Sequence, residues 1–371
     1  MTTFMNKMKA ISLFSGMGGD TLGMKNAGFE VIAFNDFDKA AVKSHLENFP
    51  DSILIQDVSQ KKEKDRTDIT LIPNEVFSSY KDQVDIIFAG FSCQGFSNGG
   101  KKLPDDPRNT LFRDFARATN CVRPKYIIGE NVDGLLNRKT ATGENYIDVI
   151  VAEFEKIGYN ITYQVCHTVR FGIPQLRKRL IIVGIRSDLN QTFVFPEPLN
   201  DGKKNLPNLQ DIIEFSMEGA IKVEPDDFDM TTIPDECIIK NMDNDDGEDT
   251  ANIHPYLRLK AKTRNEEYAG KVHHSLLSFS KRDSPIHAEI IDIRNPSKTI
   301  ICTYDHQPRL FVPLQNKNGY YLRCILPDEL KQIQGFPKDF KLFGTKKDKV
   351  KQIGNAVPPP LIEQIVKKII S

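Results

Sequence analysis

The sequence predicts an α/β protein with a doubly wound, mostly parallel sheet and a smaller, irregular second domain. Three observations support this class. Short runs rich in Ile and Val alternate with helix-like stretches through the first half of the chain, a glycine-rich turn follows the first run, and this rhythm is lost after about residue 189. In a sheet of this kind, ligands bind where the strands end.

Seven apolar runs in the first half are expected to be strands. They span residues 10–14, 31–34, 52–56, 84–90, 125–131, 160–166 and 179–186. Helical patterns at 38–49, 109–122 and 145–158 lie between them. The tail ends in an amphipathic pattern in which Leu361, Ile365 and Ile369 recur every four residues, so we expect a final helix that packs on the first domain.

The second half differs in its charge. Residues 201–250 hold 15 acidic and 4 basic residues, and residues 251–310 hold 10 basic and 6 acidic residues. Because a dense run of like charge packs poorly, we expect residues 201–250, whose extreme is 241–250, to be a solvated loop. Residues 224–249 of this piece are called the acidic stretch below. The basic stretch belongs to the irregular domain.

The overall composition excludes several classes of protein. The chain has 371 residues, no net charge and six cysteines that lie far apart, without a CxxC pair. This pattern argues against a disulfide framework and against a zinc cluster. No apolar run is long enough to span a membrane and no signal-peptide pattern is present, so we expect a soluble, cytoplasmic protein. Any nucleic-acid-binding face must arise from local charge asymmetry.

The glycine-rich turn FSGMGG (14–19) indicates a nucleoside site. Gly16, Gly18 and Gly19 lie between a strand and a helix, and Asp36 follows the next strand, where a carboxylate suits a ribose diol. Thr21 replaces the last glycine of GxGxxG, so a ligand without a pyrophosphate, such as S-adenosylmethionine, fits better than a dinucleotide. The alternative is a tight turn without a ligand. Asp57 suits an adenine amino group or a cap.

Three further stretches carry reactive groups. Cys93 in GFSCQGFS (90–97) follows an apolar run and is either a buried spacer or a nucleophile. Glu130 ends an apolar strand and is either a proton donor to a ring nitrogen or a capping carboxylate. Arg177 and Arg179 in QLRKR (175–179) alternate into a strand, so they are expected to share a face and suit a phosphate or a carbonyl, or else form ordinary ion pairs.

Taken in order, these stretches and GNAVPPPL (354–361) resemble the motifs of the DNA (cytosine-5)-methyltransferases. The resemblance covers most of the chain except about 190–290, and it departs at Ser92, where the family has proline. It implies a Rossmann-like class I methyltransferase fold. Residues 1–189, completed by 345–371, would form the catalytic domain, 190–335 the target-recognition domain and 336–344 a hinge.

The resemblance also implies a mechanism that requires no metal. Cys93 would attack C6 of a cytosine flipped out of the duplex, and Glu130 would protonate N3. Asn131 would order the loop behind Glu130, Arg177 would hold the cytosine O2, and Arg179 would support Glu130 or the Cys93 loop. The loop that closes over the base would contain Gln94, Ser97, Lys101 and Lys102. The contacts to S-adenosylmethionine would be Phe14, Gly16, Gly18, Asp36, Phe37, Asp57, Val58, Leu111, Asn355 and Val357.

The implied partner is double-stranded DNA, bound by a monomer that belongs to a restriction-modification system. Residues 251–310 would carry the DNA contacts, and the acidic stretch would lie away from the duplex because phosphates repel it. Two alternatives remain open. One is a tRNA cytosine-5 methyltransferase, since one branch of the family modifies tRNA. The other is a DNA-binding homologue that has lost catalysis, which Ser92 brings into consideration.

Overall fold

The structure is a computed structural model that describes residues 7–91, 110–253, 277–279, 288–305 and 308–371. Its first half forms a seven-stranded sheet in the order β3-β2-β1-β4-β5-β8-β6. The strands of this sheet are β1 (Lys9–Leu13), β2 (Glu30–Asn35), β3 (Ile53–Leu54), β4 (Ile86–Ala89), β5 (Tyr126–Asn131), β6 (Tyr159–His167) and β8 (Lys178–Arg186). Strand β8 alone runs against its two neighbours, β5 and β6, so the sheet is mostly parallel as predicted.

Helices cover both faces of this sheet. Side chains of successive strand residues point to opposite faces, so Ile87 joins one core cluster and Phe88 the other. The described helices are α1 (Gly19–Asn26), α2 (Lys39–Asn48), α3 (Asn74–Ser78), α4 (Leu111–Val122), α5 (Tyr146–Lys156), α6 (Pro327–Ile333), α7 (Lys346–Asn355) and α8 (Pro359–Ile369). Helices α4 and α5 pack on one face, and α1 and α8 pack on the other.

The C-terminal helix packs on the first half of the chain, as its sequence pattern predicted. Leu361 and Ile365 are fully buried in the cluster that contains Met24 of α1. Proline occupies the first helical positions, where its missing N–H costs nothing. The C-terminal segment thereby completes the core beneath the glycine-rich turn.

The second half contains a six-stranded sheet that the sequence did not predict. Its strands are β9 (Ile221–Lys222), β10 (Ile239–Lys240), β11 (Leu277–Phe279), β12 (Ala288–Ile290), β14 (Leu310–Asn316) and β15 (Gly319–Cys324). Four of them have only two or three residues, and only the β14–β15 hairpin is long. The strongly basic stretches at 254–264 and 271–282 lie outside the described residues except for strand β11.

The acidic stretch 224–249 is exposed only in part, contrary to the expectation of a solvated loop. Met230, Ile233, Cys237 and Ile238 are buried in a core cluster with residues of the small sheet, and the stretch contains strand β10. Its most acidic end, residues 241–249, is mostly exposed and is tethered to this sheet. Asp245 pairs with Lys317 at 3.0 Å in the turn between β14 and β15. Glu248 accepts a hydrogen bond from the Lys222 backbone N–H at 2.8 Å, and Asp249 accepts one from that of Gly219 at 3.0 Å. Its carboxylates therefore cap the small sheet, so the stretch has a structural contact as well as solvent exposure.

A short two-stranded sheet connects the two halves. Strand β7 (Gln175–Leu176) pairs in parallel with β13 (Ser297–Lys298). A core cluster also contains Met17 from the first half together with Phe336 and Phe340, which lie in the predicted hinge. The domain boundaries given above stay predictions. In the described part of the chain, no helix combines the length and the apolar character needed to cross a membrane.

Candidate active site

The glycine-rich turn forms a loop at the carboxyl end of β1. Phe14, Gly16 and Gly18 have φ values of 54°, 57° and 96°. Positive φ is readily adopted by glycine, so the two glycines allow a left-handed path from the strand into helix α1. The backbone N–H groups of Gly16 and Gly18 are bonded within the protein, to the Asp36 carboxylate and the Ser15 carbonyl oxygen, so the loop is a fixed turn at the edge where open α/β sheets bind ligands.

The C-terminal segment closes against this loop. A Cβ added to Gly19 would lie 2.1 Å from the Val357 carbonyl oxygen, so only glycine fits there. Val357 is buried, whereas Asn355, the last residue of α7, is exposed. The two predicted contacts from the tail therefore lie beside the start of α1, with one side chain in the core and one in solvent.

Asp36 fixes the loop to the end of β2. Its carboxylate accepts hydrogen bonds from the backbone N–H groups of Gly16 and Asp38, both at 2.7 Å. Burial raises the pKa of Asp36 above its usual value, although these two hydrogen bonds lower it. A carboxylate has about four acceptor positions, so two remain for a ribose diol. Phe37 beside it is 63% exposed.

Asp57 lies after β3 and caps its own turn. Its carboxylate accepts hydrogen bonds from Ser59 and from the Gln60 side chain at 2.7 to 3.0 Å, which hold its pKa below the usual value. The capping alternative is thus realised, and a contact to adenine stays a prediction. Val58 is 69% exposed beside it, and Leu111 begins α4 and packs partly into the core.

Glu130 lies at the carboxyl end of β5, 7% exposed, and pairs with Arg179. Its Oε1 atom is 2.6 Å from Arg179 Nε, so the buried carboxylate has the partner that its burial requires. A Cβ added to Gly90, just after β4, would lie 3.8 Å from Glu130 Oε2 and 3.6 Å from the Phe14 carbonyl oxygen. The glutamate, the glycine-rich loop and the start of the GFSCQGFS stretch therefore meet at one point.

Asn131 connects β5 to the start of the cysteine stretch. Its side-chain amide donates a hydrogen bond to the Phe91 carbonyl oxygen at 3.1 Å, and its Oδ1 accepts one from the Val132 N–H at 2.9 Å. The side chain is fully buried. That Asn131 orders the loop behind Glu130 stays a prediction.

Arg177 and Arg179 have different partners. The Arg177 side chain is 1% exposed and donates hydrogen bonds to the carbonyl oxygens of Ile300, Gly354 and Ala356 at 3.0 to 3.2 Å. It thus ties the C-terminal segment to the second half of the chain. Arg179, with Glu130, is the arginine at the reactive end of the sheet.

Cys93, Ser92, Gln94, Ser97, Lys101 and Lys102 lie outside the described residues. Of the cysteines inside them, Cys166, Cys237 and Cys324 are buried, and burial raises the pKa of these thiols to about 12. A thiol with such a pKa forms almost no thiolate at neutral pH. These three cysteines are therefore core residues.

The sequence reasoning missed a buried polar network beneath the site. Gln175 Nε2 donates to Gln334 Oε1 at 2.9 Å, and Gln334 Nε2 donates to the Ile353 carbonyl oxygen at 2.7 Å. Asp20 is also buried, below the glycine-rich loop, where it accepts a hydrogen bond from Ser12. An acidic residue directly after the glycines, inside an otherwise apolar helix start, was the available signal for Asp20.

The sheet order, the reversed strand β8 and the strand-end loop together define a class I methyltransferase fold. The profile of the C-5 cytosine-specific DNA methylase family matches residues 8–371, and the chain belongs to this family. Its activity is accordingly that of a DNA (cytosine-5)-methyltransferase.

Curated relatives and solved structures match almost the whole chain. The Type II methyltransferase M.FnuDI of Fusobacterium nucleatum is 30% identical, covering 98% of this chain and 94% of the relative. M.NgoFVII of Neisseria gonorrhoeae is 31% identical, covering 98% and 87%. A prophage-encoded DNA modification methyltransferase of E. coli has a TM-score of 0.61 at 24% identity, covering 98% and 99%. A Dnmt2 variant of Spodoptera frugiperda has a TM-score of 0.63 at 18% identity, covering 98% and 100%.

Replacement of Asn131 tests its contact with Phe91. We expect Asn131→Ala to leave the buried Phe91 carbonyl unpaired, at a cost of about 1–3 kcal/mol, and to slow methyl transfer by roughly tenfold to a hundredfold through misplacement of the loop. The measurement is the single-turnover rate with saturating DNA and cofactor. Asn160→Ala, an exposed asparagine on the edge strand β6, is the control. An unchanged rate in Asn131→Ala would mean that the contact does not position the loop.

Proposed function

We propose that this protein transfers a methyl group from S-adenosylmethionine to C5 of a flipped-out cytosine within a specific sequence of double-stranded DNA. The relatives that match its full length are named Type II methyltransferases, which supports a role as the modification enzyme of a restriction-modification system. The observation that carries the proposal is the buried Glu130–Arg179 pair at the end of β5, beside Gly90.

The residues at the loop fit S-adenosylmethionine. Exposed apolar side chains of Phe37 and Val58 suit the faces of an adenine ring, and Asp36 keeps acceptor positions that suit ribose hydroxyls. The backbone of Gly16 and Gly18 suits the methionyl end of the cofactor. Further contacts would come from Phe14, Asp57, Leu111, Asn355 and Val357. When bound, the cofactor supplies an electrophilic methyl group.

The protein's own groups would activate the base. C5 of cytosine is a weak nucleophile, and addition of the Cys93 thiolate to C6 would form a sulfur–carbon bond and move electron density to N3 and C5. Glu130 would protonate N3, which stabilises the ring while C5 accepts the methyl group. A base then removes the C5 proton, the C6–sulfur bond breaks to release the thiolate, and N3 returns its proton to Glu130.

The geometry favours Arg179 over Arg177 as the arginine at the base. Arg179 holds Glu130 through Nε and keeps further donors at the same strand end. Arg177 is engaged by three backbone carbonyls, so its role would be to hold the C-terminal segment that lies against the cofactor loop. This assignment replaces the expectation that Arg177 binds the cytosine O2.

A cleft of about 340 Å³ beside β7 and β13 suits the DNA backbone. The residues that line it are Leu176, Lys298, Thr299, Ile301, Tyr304, Arg309 and Leu310. Lys298 and Arg309 are cationic, and Lys298 is already paired with the Glu289 carboxylate, so it would bind a phosphate only by exchanging that partner. Cations that approach phosphates supply most of the sequence-independent affinity for DNA. Base recognition would come from residues 190–335, with Gln94, Ser97, Lys101 and Lys102 in the loop over the flipped base.

Radiolabelled S-adenosylmethionine with DNA or tRNA as acceptor tests the proposal. We expect label in double-stranded DNA, and bisulfite sequencing of DNA from cells that express the protein should reveal methylation within one short motif. Label in tRNA alone would instead support the tRNA alternative. Methylation of cytosines in every sequence context would contradict the restriction-modification role.

Replacement of Ser92 by proline tests the alternative of a DNA-binding protein that has lost catalysis. Proline would restrict φ at this position, which is worth about 0.4–1 kcal/mol of conformational freedom, so the natural serine costs little in comparison with catalysis. We expect wild type to be active and Ser92→Pro to have a kcat within about tenfold of it. Methyl transfer by Ser92→Pro but none by wild type, on DNA or tRNA, would mean that this chain has lost catalysis.

A further inference from the structure

Asp20 is a buried carboxylate on the inner side of the cofactor loop. It lies in the first turn of α1, two residues after Gly18, and is 2% exposed. Its carboxylate accepts hydrogen bonds from the hydroxyl of Ser12 on β1 and, at 3.5 Å, from that of Ser15. Ser15 lies between Phe14 and Gly16, so the carboxylate is linked directly to the loop.

No cation neutralises this carboxylate within the described ranges. Asp20 forms no ion pair there, and its side-chain donors are hydroxyl groups. His45 on α2 contacts the neighbouring Thr21 hydroxyl at 3.0 Å, but burial lowers the pKa of His45 to about 3, so it is neutral. Other charged groups near the loop and α1 include Lys25, Glu363 of α8, and Asp36 with its neighbours Asp38 and Lys351; among the described residues, no hydrogen bond or ion pair joins any of them to Asp20.

Burial without a cation makes ionisation of Asp20 costly. Removal from water raises the pKa of Asp20 to about 7, although the hydrogen bonds from Ser12, from the backbone and from Ser15 lower it. Near neutral pH, the carboxyl is thus about half ionised in the free protein. A positive charge bound in the loop would favour the ionised form.

We propose that Asp20 is a positioning residue that makes the loop prefer the cationic methyl donor to its neutral product. The inference rests on the proposed use of S-adenosylmethionine. The sulfonium of that cofactor is positive, and methyl transfer converts it to an uncharged thioether. A buried carboxylate without a cation partner beneath the loop attracts the positive sulfonium and not the uncharged thioether, because a charge inside a protein is weakly screened. Donor binding is favoured and product release is eased.

The sign of the pH dependence follows from proton linkage. The pKa of Asp20 in the free protein lies near 7, and a bound cation lowers it, so donor binding near neutral pH releases a proton. If the pKa falls by about two units, the affinity for the donor rises about tenfold between pH 6 and 8, whereas the affinity for the product changes much less through Asp20.

Calorimetric titration of the full-length protein with S-adenosylmethionine and with S-adenosylhomocysteine tests this directly. Each ligand is titrated at several pH values from 6 to 8, in two buffers that differ in ionisation enthalpy. The buffer difference counts the protons released. At pH 7, we expect donor binding to release about 0.5 more protons from wild type than from Asp20→Asn. The ligand amino group and Asp36 are present with wild type and with the variant alike, so any protons that they release cancel in the difference between the two proteins.

Asp20→Asn should keep the acceptor oxygen while it removes the charge. We expect it to lose about a hundredfold of the preference for donor over product at pH 8 and about tenfold at pH 6, to flatten the pH dependence attributed to Asp20, and to melt at a higher temperature than ligand-free wild type at pH 8. Asp85→Asn is the matched control. Asp85 lies at the opposite end of the sheet, where its carboxylate accepts hydrogen bonds from the Lys9 backbone N–H and the Lys125 side chain. Ser12→Ala removes a hydrogen bond that lowers the pKa of Asp20, so the rise in affinity for the methyl donor should move to higher pH.

The outcomes are distinct. Equal weakening of both ligands in Asp20→Asn, with a lower melting temperature and an unchanged pH profile, would mean that Asp20 is only structural. Equal proton release with the two ligands in wild type would also overturn the inference and would need no variant. If wild type binds neither ligand at any pH, the proposed function itself fails, and the inference fails with it.

Discussion

Cys93→Ala is expected to transfer no detectable methyl group to DNA while it binds S-adenosylmethionine with nearly the affinity of wild type. In the proposed mechanism the thiolate forms the bond to C6, and no other step makes C5 nucleophilic. The contacts assigned to the cofactor lie instead on the loop after β1 and at the ends of β2 and β3. The measurements are single-turnover methyl transfer and calorimetric cofactor binding.

DNA that contains 5-fluorocytosine in the recognition motif provides the complementary test. Fluorine cannot leave C5 as a proton does, so wild type should form a covalent complex that withstands denaturation, and Cys93→Ala should not. Cys121→Ala is the matched control, because Cys121 is half-buried on α4, away from the strand ends. Methyl transfer by Cys93→Ala at the wild-type rate would overturn the covalent mechanism.

The first half of the fold was predictable because its signals are local. The central parallel strands β1, β4 and β5 are buried on both faces, so they appear as continuous apolar runs, as in residues 84–90. The observed strands begin and end within about two residues of the predicted runs. The final helix was likewise visible in the spacing of Leu361, Ile365 and Ile369.

The second half was not predictable from local patterns. Its strands are short, and β9 pairs with β15 although about 100 residues separate them in sequence. A two-residue strand has no periodicity to detect. The charge of the acidic stretch indicated the exposure of residues 241–249 but not the burial of Met230, Ile233, Cys237 and Ile238. The ion pair to Lys317 depends on a turn that only the β14–β15 pairing creates.

The site was predicted in its residue types but not in all its pairings. The resemblance implied that Arg179 would support Glu130 or the Cys93 loop, and β5 brings Glu130 to Arg179. It did not predict the partners of Arg177, two of which are carbonyl groups of the C-terminal segment. Such contacts come from segments distant in sequence. Asp20 is similar, since its burial depends on how α1 packs against β1 and α8.

Glu130→Gln is expected to lower the single-turnover rate by about 10² to 10⁴, with DNA and cofactor affinity within about threefold of wild type. Glutamine keeps the shape and an oxygen that can accept from Arg179 Nε, but an amide cannot supply a proton to N3. The substitution also leaves the Arg179 charge, on a side chain only 12% exposed, without its counter-ion. Loss of one partner of a buried pair costs roughly 3–5 kcal/mol of stability.

The stability loss must therefore be separated from the loss of catalysis. Glu329→Gln is the matched control, because Glu329 forms an equally buried pair with Arg323 at 2.6 Å, in a part of the chain to which we assign no catalytic contact. Chemical denaturation should reveal a comparable loss of unfolding free energy in both variants, whereas only Glu130→Gln should lose the chemical step at a temperature where both are folded. A rate for Glu130→Gln within about threefold of wild type would be far below the effect of a lost general acid. Glu130 would then be a structural partner of Arg179, and the proton for N3 would have to come from another group.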